Sequence, residues 1–531
     1  MRLFVLRSAA ARTLPRGPLR HLPWSQGLAV ALPAVAVGAG LPHAWLAPWV
    51  LLAYAPLLAL CAAVGPRKGA VLLFVAWYLG YTLLARPYLE LSPLLVVAAP
   101  IVCASLYALT WIALRRLAGE HADHPAVLAT AFFLVEGIKS AAGLEYGNLA
   151  YGLWPLLPVL PLVAWVGAPG LSWLVWYGNA CAAAFLRKGL TARALSLRVL
   201  GVGAVLLCPT LFGSPIERSG ELLVVADSWG HSARERQLQS ASPTLRARTL
   251  AERLDSAKEQ IPVESNADVV LLWPETALQF RPEGEGLLPD ALASRGLPAG
   301  TKIVAGAFGP PTGARGLSTN TTYVFDAQGR IEDRYDKVRL IPFDEAQPLQ
   351  LLSELLFDRE TLMEFAPGTS LDPLDLEFAR AGISICYEET FPHGFAEQVD
   401  RGAEVLFTCA NYAYFTSPLA PAFIEALARF RARETGRALL RVSNGRGVDH
   451  VDRFGRVVAR HGDGEARALR VETLAGETPF VTAGRHLLLP LALLLAGSAT
   501  LLGRRGRSRL ARGRGIEARP RPSTPLHPSS R

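Results

Sequence analysis

The sequence predicts an α-helical membrane bundle of about eight spans joined to one large layered α/β domain. Three observations predict it. Long apolar runs fill residues 25–213 and recur at 486–503. The excess of positive charge sits in the chain ends and in short loops. Residues 214–485 alternate short β-rich runs with amphipathic helical ones.

A helix that crosses a bilayer needs about 17–25 mostly apolar residues. Seven such runs lie near 25–42, 45–64, 69–86, 92–114, 125–143, 162–186 and 197–213, and an eighth, HLLLPLALLLAGSATLL, lies at 486–502. The composition agrees, with 51% hydrophobic and 19% charged residues among 531. The first run follows a basic leader and is rich in small residues, so a cleaved signal peptide is the alternative there, with the same topology downstream. Glu136 and Lys139, in FFLVEGIKS, stand three residues apart on one face of the fifth run. Ionisable groups are costly in a bilayer, so both are expected to be buried with partners or to meet a lipid headgroup rather than to face acyl chains.

The net charge of +9 invites a nucleic-acid surface until its location is considered. Residues 1–21 carry five Arg and no acid, and 504–531 carry nine Arg against Glu517, so the rest of the chain is net acidic. Basic loops recur at Arg67 and Lys68, at Arg115 and Arg116, and at Arg187, Lys188, Arg193 and Arg198. The loop at 144–161 has no Lys or Arg, and Arg86 is the one exception to the alternation. Cationic loops favour the cytoplasmic face. The pattern predicts a basic cytoplasmic N-terminus (1–24), seven spans (25–213), an extracytoplasmic domain (214–485), a last span (486–503) and a basic cytoplasmic tail (504–531), in a bacterial inner membrane. No nucleic acid is expected as a partner.

Within 214–485, ELLVVADS, ADVVLLWPE, TKIVAGAFG, TTYVFDAQG, RAGISICYE, AEVLFTCAN and RALLRVSNG have the composition of buried strands. Helices are expected near 243–262, 391–400 and 420–436, and Asp326 to Gly329 forms a turn between two strands. Such a mixture predicts a sheet covered by helices. Four of the six cysteines (Cys61, Cys103, Cys181 and Cys208) lie in apolar runs as small buried hydrophobes. Cys386 and Cys409 are the two that an oxidising compartment would allow to pair.

Three polar residues directly follow apolar strand-like runs: Glu275 in LLWPETAL, Lys337 in RYDKVRLIPFDE and Cys386 in GISICYEETFP. Individually each has an ordinary explanation as a helix cap, a solvated lysine or a core thiol. Together they supply what acyl transfer through a thiol requires: a nucleophile, a carboxylate to move its proton, and a cation for the oxyanion.

WPET, Y-x-K-x-x-L-x-P-F-x-E and I-C-Y-E-x-x-F-P, in that order, resemble the nitrilase superfamily, which implies an αββα sandwich with a Glu, Lys, Cys triad. Helices before and after the domain make the chain similar to the apolipoprotein N-acyltransferase family over nearly its whole length. The resemblance implies Glu275 as general base, Lys337 as oxyanion-stabilising cation and Cys386 as nucleophile, with Glu345, Tyr387, Glu388 and Tyr414 as supporting residues. It implies an acyl chain passed from a phospholipid, usually phosphatidylethanolamine, through a cysteine thioester to the α-amine of a diacylated apolipoprotein. No metal or cofactor is implied, the lipid bilayer is a partner, and a monomer is expected.

Several positions depart from the family pattern. Asp344 stands where Gly is usual, Tyr412 and Tyr414 in ANYAYF replace an acid and a Trp, a histidine is missing from the helix near 420–436, and Arg446 lies in the altered SNGRG. These departures are expected to bear on which substrates are recognised. The apolar stretch 339–357 is either a membrane-interface segment or an ordinary amphipathic helix. A membrane-anchored amidase or hydrolase, and an inactive scaffold that keeps the fold, are the alternative functions.

Overall fold

The computed structural model describes residues 23–89, 93–211, 216–262, 268–284, 286–313, 315–342, 344–346 and 364–516. Most of the 339–357 stretch, the basic leader and the end of the basic tail lie outside these residues.

Every predicted apolar run falls on a helix. In chain order these are α1 (Pro23–Val35), α2 (Val50–Ala53), α3 (Ala55–Val64), α4 (Pro66–Ala85), α5 (Pro93–Leu117), α6 (Pro125–Ala141), α7 (Val163–Leu186) and α8 (Ala192–Leu207). After the α/β domain, a long final helix runs Arg485–Ile516. The expectation of eight spans is met only in part. Among the described residues, four helical segments are long and apolar enough to cross a membrane: Ala47–Val64, Pro66–Tyr88, Val96–Leu117 and Phe480–Thr500. The reasons are visible in the others. Helix α6 has 17 residues and contains Glu136 and Lys139, α8 has 16 residues, and α7 is interrupted at Gly167, whose φ of +61° no bulkier residue adopts easily. A Cβ at Gly167 would also strike the ring of Phe480, at 2.5 Å.

Glu136 and Lys139 are both buried, and each holds the loop that follows α6. The Lys139 ammonium donates to Asn148 Oδ1 at 2.7 Å and to the Tyr146 carbonyl at 3.1 Å. Glu136 accepts from the Trp176 indole at 2.9 Å and from the Leu149 N–H at 3.4 Å. Neither side chain is left unpaired in an apolar bundle, where an orphaned polar group would cost several kcal/mol. Asp123 accepts from both Arg115 and Arg187, so two of the predicted cytoplasmic loops meet at one end of the bundle.

The α/β domain is built on two six-stranded sheets. The first has the order β12-β1-β2-β3-β4-β5, the second β11-β10-β9-β8-β7-β6. Their strands are β1 (Glu217–Asp227), β2 (Val269–Leu272), β3 (Lys302–Phe308), β4 (Asn320–Phe325), β5 (Ile331–Asp336), β6 (Leu374–Asp375), β7 (Arg380–Ile385), β8 (Val405–Asn411), β9 (Leu439–Asn444), β10 (Gly447–Val451), β11 (Val457–His461) and β12 (Ala466–Ala475). All seven predicted strands are present. The strands outside those seven runs include all four sheet edges, where exposed polar side chains blur the apolar signal; IEDRYD of β5 is an example, implied only by the turn before it.

Alternating side chains sort the sheets into layers. Val224, Val270 and Val304 of the first sheet face Ile383, Phe407 and Val442 of the second. The opposite face of the first sheet packs on Leu250 and Leu254 of the Pro243–Gln260 helix and on Leu288 and Leu292 of the Leu287–Ala293 helix. Leu406 and Leu439, on the outer face of the second sheet, pack on the Pro392–Asp400 helix and on Ala428 and Ala432 of the Leu419–Thr435 helix. This is an αββα sandwich. The Leu419–Thr435 helix is also its joint to the bundle, because Phe423, Leu427 and Phe430, at helical spacing, belong to the core that α3, α4 and α7 share.

Candidate active site

Glu275, Lys337 and Cys386 each occupy the first turn beyond the end of a strand, and sheet packing brings these ends together. Glu275 lies on the bend after β2, threaded against β3 at Gly306, where a Cβ would meet the Pro274–Thr276 backbone at 2.5–2.7 Å. Lys337 directly follows β5, and its N–H donates to the Asn320 carbonyl at 2.8 Å. Cys386 directly follows β7 and opens a 3₁₀ turn, Cys386–Thr390, with φ of +53°. A non-glycine residue held in that region stores backbone strain, and such strain concentrates at functional positions.

The three carboxylates and amines of the centre form one hydrogen-bonded unit. The Lys337 ammonium, fully buried, lies 2.7 Å from Glu345 Oε1 and 3.4 Å from Glu275 Oε1. Asn320 Nδ2 bridges the same two carboxylates, at 2.7 Å to Glu275 and 3.3 Å to Glu345. The Ile341 N–H holds the other Glu345 oxygen at 2.9 Å. Burial disfavours the charged lysine, but Glu345 and Glu275 outweigh it and hold the ammonium above the ordinary lysine range. Burial, and then the Glu275 carboxylate, push the Cys386 thiol well above its usual value despite the opposing pull of Lys337. Burial and Glu275 thus favour the protonated thiol at rest, and a base must take its proton as it attacks.

The supporting residues separate into distinct roles. Glu388 Oε1 accepts from Tyr335 OH at 2.9 Å, Val338 N at 2.8 Å and Arg339 N at 2.9 Å, while Oε2 accepts from Ile385 N at 2.9 Å. It thus clamps the residues flanking Lys337 to the residue preceding Cys386. Its removal would orphan four donors, those of Tyr335 and Ile385 fully buried, and Glu388→Ala is expected to lose roughly 3–5 kcal/mol of stability; an unchanged thermal midpoint would refute the clamp. Tyr387 donates its hydroxyl to the Gly143 carbonyl of the bundle and stacks on Tyr146 at 5.5 Å.

Glu275, Glu345, Cys386, Tyr387, Tyr412 and Tyr414 line a cavity of about 450 Å³ together with Tyr88, Tyr146 and Asp344. Tyr414 is exposed at its rim. Tyr412 is buried, and its hydroxyl bonds to Glu389, which Arg441 holds through two nitrogens at 2.8 Å. Three of the four unusual positions thus reach the cavity. Arg446 does not: it is exposed on the turn between β9 and β10. Cys386 and Cys409 are both free, so the possible disulfide does not form here; Cys409 sits inside the sheet core.

Asn320, Tyr88 and Tyr146 escape sequence reasoning. Asn320 opens an unremarkable strand, NTTYVF. The two tyrosines come from the bundle, with rings 5.1 Å apart, and nothing local distinguishes them from other interfacial aromatics.

The α/β domain and most of the chain have relatives among known proteins. Residues 227–466 match the Carbon-nitrogen hydrolase family. The chain is 28% identical over 411 residues to an apolipoprotein N-acyltransferase of Brucella melitensis biotype 1, covering 72% of this chain and 73% of that one. It is 28% identical over 452 residues to an apolipoprotein N-acyltransferase of Azotobacter vinelandii, covering 81% and 83%. The crystal structure of a carbon-nitrogen hydrolase from Helicobacter pylori G27 aligns at 16% identity with a TM-score of 0.35, covering 48% of this chain and 89% of that one.

Proposed function

We propose that this chain, which pairs a carbon-nitrogen hydrolase domain with an apolar helical bundle and is similar to apolipoprotein N-acyltransferases over most of its length, is itself an apolipoprotein N-acyltransferase. The observation that carries the proposal is the composition of the cavity wall. Cys386 and Glu275 come from the sandwich, whereas Tyr88 and Tyr146 come from the bundle, so a lipid held among the helices can present its ester to the thiol.

Glu275 takes the thiol proton as Cys386 attacks an acyl ester of a phospholipid. The oxyanion of the tetrahedral intermediate is met by the Lys337 ammonium, which the paired carboxylates keep charged. Collapse breaks the ester C–O bond, Glu275 returns the proton to the departing glyceryl oxygen, and a thioester and a lysophospholipid result. The α-amine of a diacylated apolipoprotein then attacks the thioester carbonyl. Glu275 accepts a proton from the nitrogen, the C–S bond breaks, and the proton goes to the thiolate, leaving an amide and the resting thiol.

Glu345 and Glu388 are positioning residues in this scheme: one orients the lysine, the other couples the lysine and cysteine loops. The shorter helices α6, α7 and α8 would complete the bundle in the inner membrane, with the sandwich on the extracytoplasmic side. The meeting of Arg115 and Arg187 at Asp123, away from the loop that touches Tyr387, supports that orientation.

One membrane preparation tests the reaction type. Given labelled phospholipid and a diacylated lipopeptide, the protein is expected to move label to the peptide amine. Release of free fatty acid with no lipopeptide product would instead identify a hydrolase.

A further inference from the structure

We infer that Asp344 binds the primary ammonium group of a substrate inside the catalytic cavity, an inference that rests on the acyltransferase proposal. Asp344 sits on the tight turn that also delivers Glu345. Its N–H and those of Glu345 and Ala346 all donate to the Ile341 carbonyl, at 3.3, 2.9 and 3.1 Å, so its backbone is fixed relative to the centre. Its half-buried side chain lines the same cavity as Cys386.

What distinguishes Asp344 from its neighbours is that its carboxylate has no hydrogen-bond partner among the described residues. Glu345 is engaged through both oxygens, and Glu275 accepts from Asn320 and Lys337. The Asp344 carboxylate accepts no hydrogen bond from any described residue. The charges around the cavity do not balance either. Glu275, Asp344 and Glu345 face Lys337 and Arg236, and Arg236 is drawn to the Thr276 hydroxyl. Among the described residues the cavity is one positive charge short. Burial, then the neighbouring Glu345 carboxylate, push the Asp344 carboxyl up to about 7, a strain that a bound cation would relieve.

A primary ammonium supplies that charge together with three N–H donors in a compact group. The proposed reaction has two sources of it: the ethanolamine headgroup of a donor phospholipid and the α-ammonium of the acceptor. Choline and glycerol headgroups have no such N–H donors.

The test uses purified full-length protein and its Asp344→Asn and Asp344→Gly variants, each checked for an unchanged thermal midpoint. Thioester formation is measured with phosphatidylethanolamine and with phosphatidylglycerol of the same acyl chains, and KM is measured for a diacylated lipopeptide. About a tenfold or larger loss of headgroup discrimination, with acceptor KM unchanged, assigns Asp344 to the donor. A similar rise in acceptor KM, with headgroup discrimination unchanged, assigns it to the acceptor. If both quantities stay at wild-type values in a variant that forms thioester, the inference is wrong. Should both variants prove unstable, Asp344→Glu, which keeps the charge, must retain the wild-type discrimination and KM; loss of both in that folded variant also overturns the inference. Failure of the wild type to form any thioester would overturn the acyltransferase proposal instead, so the two failures are distinguishable.

Discussion

Cys386→Ala is expected to fold normally and to lose acyl transfer by at least about 10³-fold, because removal of the nucleophile eliminates the covalent route. The substitution deletes one buried atom at a position whose φ is already +53° for a non-glycine residue, so its effect on folding is expected to stay within about 1 kcal/mol. Incubation with labelled phospholipid should leave a thioester-linked acyl group on the wild type and none on the variant. Cys386→Ala that still N-acylates lipoproteins would sink the thioester mechanism. Since burial and Glu275 hold the thiol protonated, Glu275→Gln should also block thioester formation while the thiol remains present for slow alkylation.

The second large effect is expected at Lys337. Its replacement by Met removes the one cation between two buried carboxylates, Glu275 and Glu345, and leaves Asn320 as their sole shared donor among the described residues. Breaking a buried charge network in this way costs about 3–5 kcal/mol, which a denaturant or thermal melt in detergent would register. Loss of the oxyanion partner adds a separate kinetic penalty of about 10²–10³-fold in thioester formation. A variant as stable and as fast as the wild type would remove Lys337 from the centre altogether. The pH dependence follows from the raised folded-state value. The ammonium's contribution to stability is complete below the unfolded lysine value of about 10.4 and declines only as pH rises beyond it, so it is constant across the neutral range.

Much of the centre was legible because its residues sit in local patterns. Glu275 and Cys386 each follow an apolar strand that is buried on both faces and delivers the residue beyond its end to the sheet edge, whereas Lys337 follows the largely exposed edge strand β5 and is marked by Y-x-K-x-x-L-x-P-F-x-E instead. The Asp326–Gly329 turn, with the Gly329 N–H on the Asp326 carbonyl at 2.9 Å, was equally local. Edge strands such as β11 and β12 were not legible, since their polar residues face water and their identity as strands comes from a neighbour. Among the described residues, four of the eight expected spans have the length and apolarity of a membrane crossing, because the apolar content of α6 and α7 also serves burial inside the bundle, where Glu136, Lys139 and the break at Gly167 are tolerated.

By itself, the sequence determined the helical character of each apolar run, the seven core strands and the three residues proposed for catalysis, because periods of 2 and 3.6 residues and strand-end positions are encoded locally. Only the tertiary structure decided that Asn320 bridges Glu275 and Glu345, that Glu388 couples the lysine loop to the cysteine loop, that Tyr88 and Tyr146 close the cavity from the bundle, and that Asp344 faces it without a hydrogen-bond partner among the described residues. These contacts join residues up to about three hundred positions apart in the chain, and they exist only once sheet pairing and the Leu419–Thr435 helix fix the sandwich against the helices. No local pattern records them, since the energy that selects them is that of burying and pairing polar groups across elements.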